Sequence, residues 1–371
     1  MSPESEPAPF LRPGRPIAID STQTREGRAR TFVALGEQME RRGQLSTALA
    51  AYDAALALDT VRTGIAFRMG RIYQKLEDPE RAARSFSREL KRDPRNAEAA
   101  IELGISLAQM GHEANAITGL ETLTKKHPGD DRAWSALGFA YHAAGRPKDA
   151  ESAMRRAIAL PPPRASEHRD LGALLASQGR DPEARAEYKR AMAADPGDAA
   201  VWVNLGNLER RAGHDEEALA AYRKAEARDS SMALALQGQA QMLAALGRAR
   251  EAEAAYRRWI ERRPGDFGAR IEAIHFFVSE GRSDMALEVA RGAVRIDRES
   301  GEAHLMLGVA LDASGDKRAA LAELRRAEAL SGDEAGRARA RQLVATLRAG
   351  APDSLRALFA ADSVKYEAPR K

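Results

Sequence analysis

The stretch WSALGFAY at residues 134–141 determines the fold class, because its pattern returns along the chain every 34 residues. With Trp134 as position 4 of a unit, a Leu-Gly or Met-Gly pair recurs at positions 7 and 8 of seven units. Alanine occupies position 20 of all nine units, and proline stands at position 32 of five. Nine contiguous units fill residues 29–334 without an insertion, so we predict a repeat architecture.

Each unit has the pattern of two amphipathic helices of about 13 residues joined by a short turn. Glycine at position 15 of eight units suits the left-handed residue that ends many helices. Small residues at positions 8 and 20 allow the two helices to approach closely, and proline at position 32 ends the second helix. A single hairpin cannot bury its apolar face, so we expect the units to stack into an all-α solenoid.

This pattern resembles the tetratricopeptide repeat family over most of the chain. The resemblance implies a right-handed superhelical solenoid of nine helix-turn-helix repeats, in which the first helices line a concave groove. In that family, positions 2, 5, 6, 9, 12 and 13 of the first helix commonly meet extended peptides. Helical geometry places these positions on one side of the helix. We call the surface that they form the first-helix face.

The seventh and eighth units depart from the pattern. Gln239-Ala240 stands at positions 7 and 8 of the seventh unit. The eighth has Ala273-Ile274 there, with Ala290 where an aromatic residue is usual. We expect Ile274 to push the two helices apart and to alter the packing around residues 267–300.

The two ends of the chain differ from the repeats. Residues 1–28 are proline-rich and are expected to form a flexible arm, with a short docking motif as the alternative. Residues 335–362 have the phase of a degenerate tenth repeat that caps the solenoid, and residues 363–371 are expected to fray.

Composition excludes several classes of protein. The absence of cysteine rules out a disulfide-stapled domain, a thiolate zinc site and a cysteine nucleophile. No apolar run approaches the roughly 18–20 residues that span a bilayer, and the first residues lack the apolar core of a signal peptide. The cytoplasm is therefore the expected compartment, and the Ala- and Arg-rich composition favours a bacterial source.

Net charge is +4, but the excess belongs to the C-terminal end. Residues 335–371 carry eight basic and three acidic side chains, whereas residues 29–334 carry 46 basic and 47 acidic ones. A nucleic-acid-binding protein usually has a basic stripe along its fold. Nucleic acid is therefore an unlikely partner.

No motif for catalysis is found. The sequence has no phosphate-binding loop, no dinucleotide fingerprint and no zinc-protease motif. The seven histidines follow the repeat phase and do not cluster. We therefore predict no enzyme activity, no cofactor and no metal.

Candidate partner-binding residues lie on the first-helix face. Arginine and lysine suit acidic side chains or a terminal carboxylate, and asparagine can both donate to and accept from a peptide backbone. Charged residues on a solvated helix face are the alternative explanation. The candidates are Phe67, Arg68, Arg71, Lys75, Phe139, His142, Arg169, Asn204, Asn207, Arg210 and Arg211.

These observations predict a non-catalytic scaffold or adaptor that binds protein or peptide segments, acidic ones among them, in the groove. The family's chaperone-tail clamp and its ladder of asparagine at position 6 are both absent from the matching positions. Two alternatives stay open. The protein could associate with itself, or it could be an accessory subunit that positions a separate enzyme or an export machine.

Overall fold

The computed structural model describes residues 24–58 and 63–349, and all regular structure in these ranges is α-helical, as predicted. The chain divides into two compact units, with the boundary between Arg180 and Asp181. Unit one contains α1 Arg25–Arg41, α2 Leu45–Leu58, α3 Ile65–Lys75, α4 Pro79–Arg92, α5 Ala97–Gln109, α6 Glu113–Lys126, α7 Asp131–Ala143, α8 Pro147–Ile158 and α9 Ala165–Ser177. Unit two contains α10 Asp181–Ala194, α11 Ala199–Arg211, α12 Asp215–Arg228, α13 Ala233–Ala245, α14 Ala249–Arg262, α15 Phe267–Ser279, α16 Ser283–Ile296, α17 Gly301–Ala313, α18 Lys317–Leu330 and α19 Glu334–Ala349.

The helix boundaries follow the 34-residue period. From α5 to α18, every first helix begins at position 1 of its unit and every second helix begins at position 17. Most second helices end at position 30, two residues before the proline position, as the sequence predicts. Helix α1 begins at Arg25, four residues before the first unit. The described helices fit nine repeats.

Side chains at position 34 of one unit cap the first helix of the next. Asn96, Asp130, Asp266 and Ser300 each accept a hydrogen bond from a backbone N–H of the following helix's first turn. These N–H groups have no partner within the helix, and a capping oxygen satisfies one of them. The caps help to fix the start of these four helices, whereas α9 and α13 begin at the same position without a side-chain cap.

The turns between paired helices use the expected left-handed residue. Glycine at position 15 has φ between 68° and 89° in all eight units that carry it. The second 34-residue repeat has Glu77 at this position, with φ 56°. A side chain in this conformation is strained, because its Cβ crowds the backbone.

Packing within a hairpin depends on small residues at two phases. The nine alanines at position 20 are at most 1% exposed. A Cβ added to Gly36, Gly70 or Gly206 at position 8 would lie 2.5–2.7 Å from the aromatic ring at position 24. Glycine is therefore required there for the close approach of helix and ring.

In the eighth repeat, the sizes of the residues at positions 8 and 24 are reversed. Ile274 stands at position 8 and Ala290 at position 24, and both are fully buried. The large side chain comes from the first helix and the small one from the second, so the pair exchanges roles. The altered packing expected around residues 267–300 stays a prediction.

The C-terminal helix α19 closes the core of unit two. Ala340, Leu343 and Val344 are buried in that core and Leu347 packs against it. The segments 1–23 and 350–371 lie outside the described residues. They include most of the predicted arm, the second part of the predicted tenth repeat and the tail that is expected to fray. None of the described helices combines the length and apolar character needed to cross a membrane.

Candidate functional site

Helix α3 brings four of the candidate residues together in unit one. Phe67, Arg68, Arg71 and Lys75 lie on its first-helix face. The Phe67 ring is half-buried and packs against Phe86, with 5.6 Å between ring centroids. Part of its apolar surface therefore already serves the hairpin.

The three cations of α3 are not unpaired. Each forms an ion pair with a carboxylate on the first helix of a neighbouring repeat, either α1 or α5. The pairs are Arg68 with Glu37 at 3.2 Å, Lys75 with Glu40 at 3.9 Å and Arg71 with Glu102 at 2.9 Å. About half of each cationic side chain stays exposed. An acidic ligand would therefore compete with internal carboxylates.

Glu102 is the centre of this charge pattern. It is 6% exposed and accepts hydrogen bonds from Arg71, from Gln74 at 2.8 Å and from Arg132 at 3.0 Å. Arg132 of α7 also pairs with Glu98 at 3.0 Å. Charges thus alternate in sign along the first helices of unit one, and the carboxylates on this face are compensated internally.

The remaining candidates of unit one lie on α7 and α9. Phe139 is 37% exposed, and His142 is exposed on the same helix. Arg169 of α9 forms an ion pair with its neighbour Asp170 at 3.1 Å. Phe139 is therefore the candidate here with a large apolar surface available for contact.

Helix α11 carries the four candidates of unit two, Asn204, Asn207, Arg210 and Arg211. Oδ1 of Asn207 accepts a hydrogen bond from the Tyr222 hydroxyl at 2.7 Å, which leaves the amide NH2 group for a partner. Of the two arginines on this helix, Arg210 has a buried Nε atom with no hydrogen-bond partner among the described residues. The other, Arg211, pairs with Asp181 at 3.3 Å.

Helices α13 and α15 add polar residues that the candidate set omitted. Gln237 and Gln241 of α13 donate side-chain hydrogen bonds to the two carboxylate oxygens of Glu272 on α15, at 2.5 and 3.1 Å. Burial raises the pKa of Glu272. Leu234, one turn before Gln237, is 56% exposed. These three polar residues stand at positions 5, 6 and 9 of their repeats, so the sequence places them on the first-helix face. The sequence pattern does not show that they form hydrogen bonds with one another.

The described ranges contain no cluster of three or more His, Asp or Glu side chains with the geometry to hold a metal.

Comparison with known families gives matches in both units. Two family models described as tetratricopeptide repeat match residues 165–208 and 203–267. A model described as bacterial transcriptional activator domain matches residues 24–161.

The chain also resembles individual proteins. Protein FlbA of Caulobacter vibrioides is 31% identical over 99 residues, which are 27% of this chain and 17% of FlbA. The match thus spans less than a fifth of that curated relative. A tetratricopeptide repeat protein from Parabacteroides merdae is 19% identical, covers 58% of this chain and 84% of its own, and has a TM-score of 0.54. The pilF protein of Pseudomonas aeruginosa is 18% identical over 59% of this chain and 100% of its own, with a TM-score of 0.43. The P. merdae likeness shows the fold alone.

Proposed function

Because the chain is a tetratricopeptide repeat protein, we propose that it is a non-catalytic scaffold that binds segments of partner proteins on its first-helix face. Stacked helical hairpins offer a long surface of regularly spaced side chains, and solenoids use such surfaces for binding. Residues at these positions vary from repeat to repeat, although some of them, such as Ile101, Val203 and Met306, are also part of the core.

One observation carries the proposal. Large apolar side chains are exposed on this face in each unit, namely Phe139 at position 9 and Leu234 at position 2. Asn207 is exposed at position 9 as well. Apolar anchors beside hydrogen-bonding groups are the usual composition of a protein-binding surface.

The experiment compares affinity capture by the full chain with capture by an F139S/L234S variant. I296S is the matched control, because Ile296 is 48% exposed but stands at the end of a second helix. We expect proteins that the wild type and I296S retain and the double variant loses, while the thermal midpoint of all three stays similar. Equal retention by all three baits would contradict a role for this face.

Acidic segments are the finer form of the proposal. Arg68, Arg71 and Lys75 would bind them, although each would have to exchange an internal carboxylate for that of the ligand. Exposed pairs such as those of Arg68 and Lys75 are worth about 0–1 kcal/mol, so their exchange costs little. Arg71 would instead leave the buried Glu102 with Gln74 and Arg132 as its remaining partners. An R68Q/R71Q/K75Q variant should then lose the acidic partner and keep the others.

Self-association and a role as an accessory subunit are the alternatives. Growth of the particle with concentration would support the first, and capture of an enzyme or of an export component would support the second. The match of residues 24–161 to a transcriptional activator domain favours a further candidate, a part in bacterial transcriptional activation. Capture of transcription proteins through residues 24–161 would support it.

A further inference from the structure

A carboxylate on the first-helix face of unit two is held by neutral amides. Glu272 stands at position 6 of the eighth repeat, and its hydrogen bonds come from the neutral amides of Gln237 and Gln241. Among the residues that the structure describes, no Lys, Arg or His forms an ion pair with it. The two amides hold the carboxylate in a defined orientation, and they occupy about two of its roughly four acceptor sites.

The third repeat shows what a compensated carboxylate looks like at the same position. Glu102, also at position 6, pairs with Arg71 from position 9 of the preceding repeat and with Arg132 from position 2 of the following one. Around the eighth repeat, the corresponding positions of the seventh and ninth repeats hold Gln241 and Glu302. A neutral amide and a second acid thus replace the two internal cations.

This replacement leaves a charge that a ligand can neutralise. A half-buried carboxylate is costly to ionise without a nearby positive group, and an arriving cation would remove that cost. A metal ion would need further protein ligands, and none are arranged for it in the described ranges. An amine or guanidinium group needs only the free acceptor sites of the carboxylate.

Apolar surface beside the carboxylate suits the stem of a basic side chain. Leu234 is exposed one turn before Gln237 on α13, and Ile271 precedes Glu272 on the same face of α15 with partial exposure. Lysine and arginine place their methylene chains along such surfaces while the charged end reaches a polar group.

We propose that unit two binds an extended basic segment of a partner protein, with a lysine or arginine side chain paired to Glu272. This inference rests on the proposed scaffold function and names the partner's chemistry. The segment that binds unit two would therefore be positively charged. Arg68, Arg71 and Lys75 of α3, by contrast, would bind acidic segments.

The experiment selects ligands from a phage library of random 12-residue peptides on the immobilised full chain. Four baits are used in parallel, the wild type, E272Q, Q241R and E261Q. E272Q removes the charge and keeps the shape. Q241R leaves Glu272 in place and supplies an internal cation, as Arg71 does for Glu102. E261Q makes the same chemical change as E272Q at an exposed residue of α14, on a second helix.

We expect the wild type and E261Q to enrich lysine and arginine over the input library, and E272Q and Q241R to lose that enrichment. A synthetic peptide of the wild-type consensus should bind E272Q about tenfold more weakly or worse, as loss of a charge-assisted hydrogen bond implies. Thermal denaturation of each bait confirms that it is folded.

Two other results have distinct meanings. Convergence on acidic or uncharged peptides would overturn this inference and leave the scaffold proposal standing. So would binding of basic peptides by E272Q and Q241R that is as strong as that by the wild type. If no bait enriches any peptide family over the input, binding of extended segments itself fails, and the proposed function falls with it.

Discussion

The hydroxyl of Tyr222 donates a 2.7 Å hydrogen bond to Oδ1 of Asn207, which joins the second helix of a hairpin to a candidate binding residue on the first. The ring of Tyr222 lies between Gly206 of that hairpin and Gly238 of the next repeat. A Cβ added to these glycines would lie 2.7 and 2.6 Å from ring atoms. Asn207 therefore serves the packing of unit two as well as its surface.

Alanine at either glycine should destabilise the protein. The Tyr222 ring is fully buried and cannot move away, so we expect G206A and G238A each to lower the free energy of unfolding by about 1–3 kcal/mol. Urea denaturation of the full chain measures this. G292A is the control, because a Cβ on Gly292 meets no atom closer than 3.7 Å. It should be neutral or stabilise helix α16 by up to about 1 kcal/mol; a stability of G206A equal to that of G292A would contradict the packing.

Glycine at position 15 of the second repeat should stabilise unit one. Glu77 has φ 56°, where the other units with glycine at this position have φ near 70–90°. Relief of the left-handed strain is worth about 1–2 kcal/mol, and the greater freedom of glycine in the unfolded chain offsets part of it. We expect E77G to raise the thermal midpoint and E77A to leave it nearly unchanged. An equal rise of the thermal midpoint in both variants would show that loss of the Glu77 carboxylate, and not relief of backbone strain, stabilises the protein.

Glutamine at residue 167 should stabilise the protein at neutral pH. Glu167 is 4% exposed at position 3, where five of the other eight repeats have alanine, and its Oε1 has no hydrogen-bond partner among the described residues. Burial, together with the nearby Asp131 carboxyl, raises the pKa of Glu167 from 4.5 to about 7. As pH rises, the carboxyl of Glu167 loses its proton in the unfolded state before it does in the folded state. The contribution of this group to the free energy of unfolding therefore falls between about pH 4.5 and about pH 7.

We therefore expect E167Q and the wild type to be equally stable near pH 4 and E167Q to be more stable at pH 8, by about 3 kcal/mol. E151Q is a control of opposite sign. The pKa of Glu151 is lowered, first by its hydrogen bond from Arg180 and then by that from Arg155. E151Q should therefore be less stable at neutral pH, and its deficit should shrink in acid. A pH-independent difference for E167Q would argue against the buried ionisation.

The reversed pair of the eighth repeat should show strong energetic coupling. I274A should cost about 2–5 kcal/mol through the cavity that it leaves, and A290L should cost about 1–3 kcal/mol through overpacking. The I274A/A290L double variant restores the usual order of sizes and should recover much of the loss. A double-mutant cycle from urea denaturation measures the coupling. Additive losses would show that the two side chains do not share one space.

Much of the fold could be predicted from residue size and phase. Alanine at position 20, such as Ala150, is buried because two helices cross closely there, and glycine at position 15, such as Gly145, is left-handed because the turn needs it. Both constraints act within one hairpin, so they leave a periodic trace. Glu77 breaks that trace, and its left-handed conformation follows from the same kind of turn, in which the Asp78 N–H donates to the Tyr73 carbonyl.

The candidate site was predicted less completely. Phe139 and Asn207 are exposed at their predicted positions, but the cations of α3 are already paired with acids, and Gln237 and Gln241 were not singled out. Charge and exposure on a surface depend on side chains from adjacent repeats, and the period alone does not relate them.

The 34-residue period decided the helical hairpins, their turns and which phases face the core, because burial within a hairpin selects residue size at constant intervals. Tertiary structure alone decided which charges are compensated. Arg71 lies 2.9 Å from Glu102, whereas Glu272, at the same position of a later repeat, accepts hydrogen bonds from the amides of Gln237 and Gln241. The strength of an ionic interaction depends on distance and burial, and both are set when one repeat packs on the next.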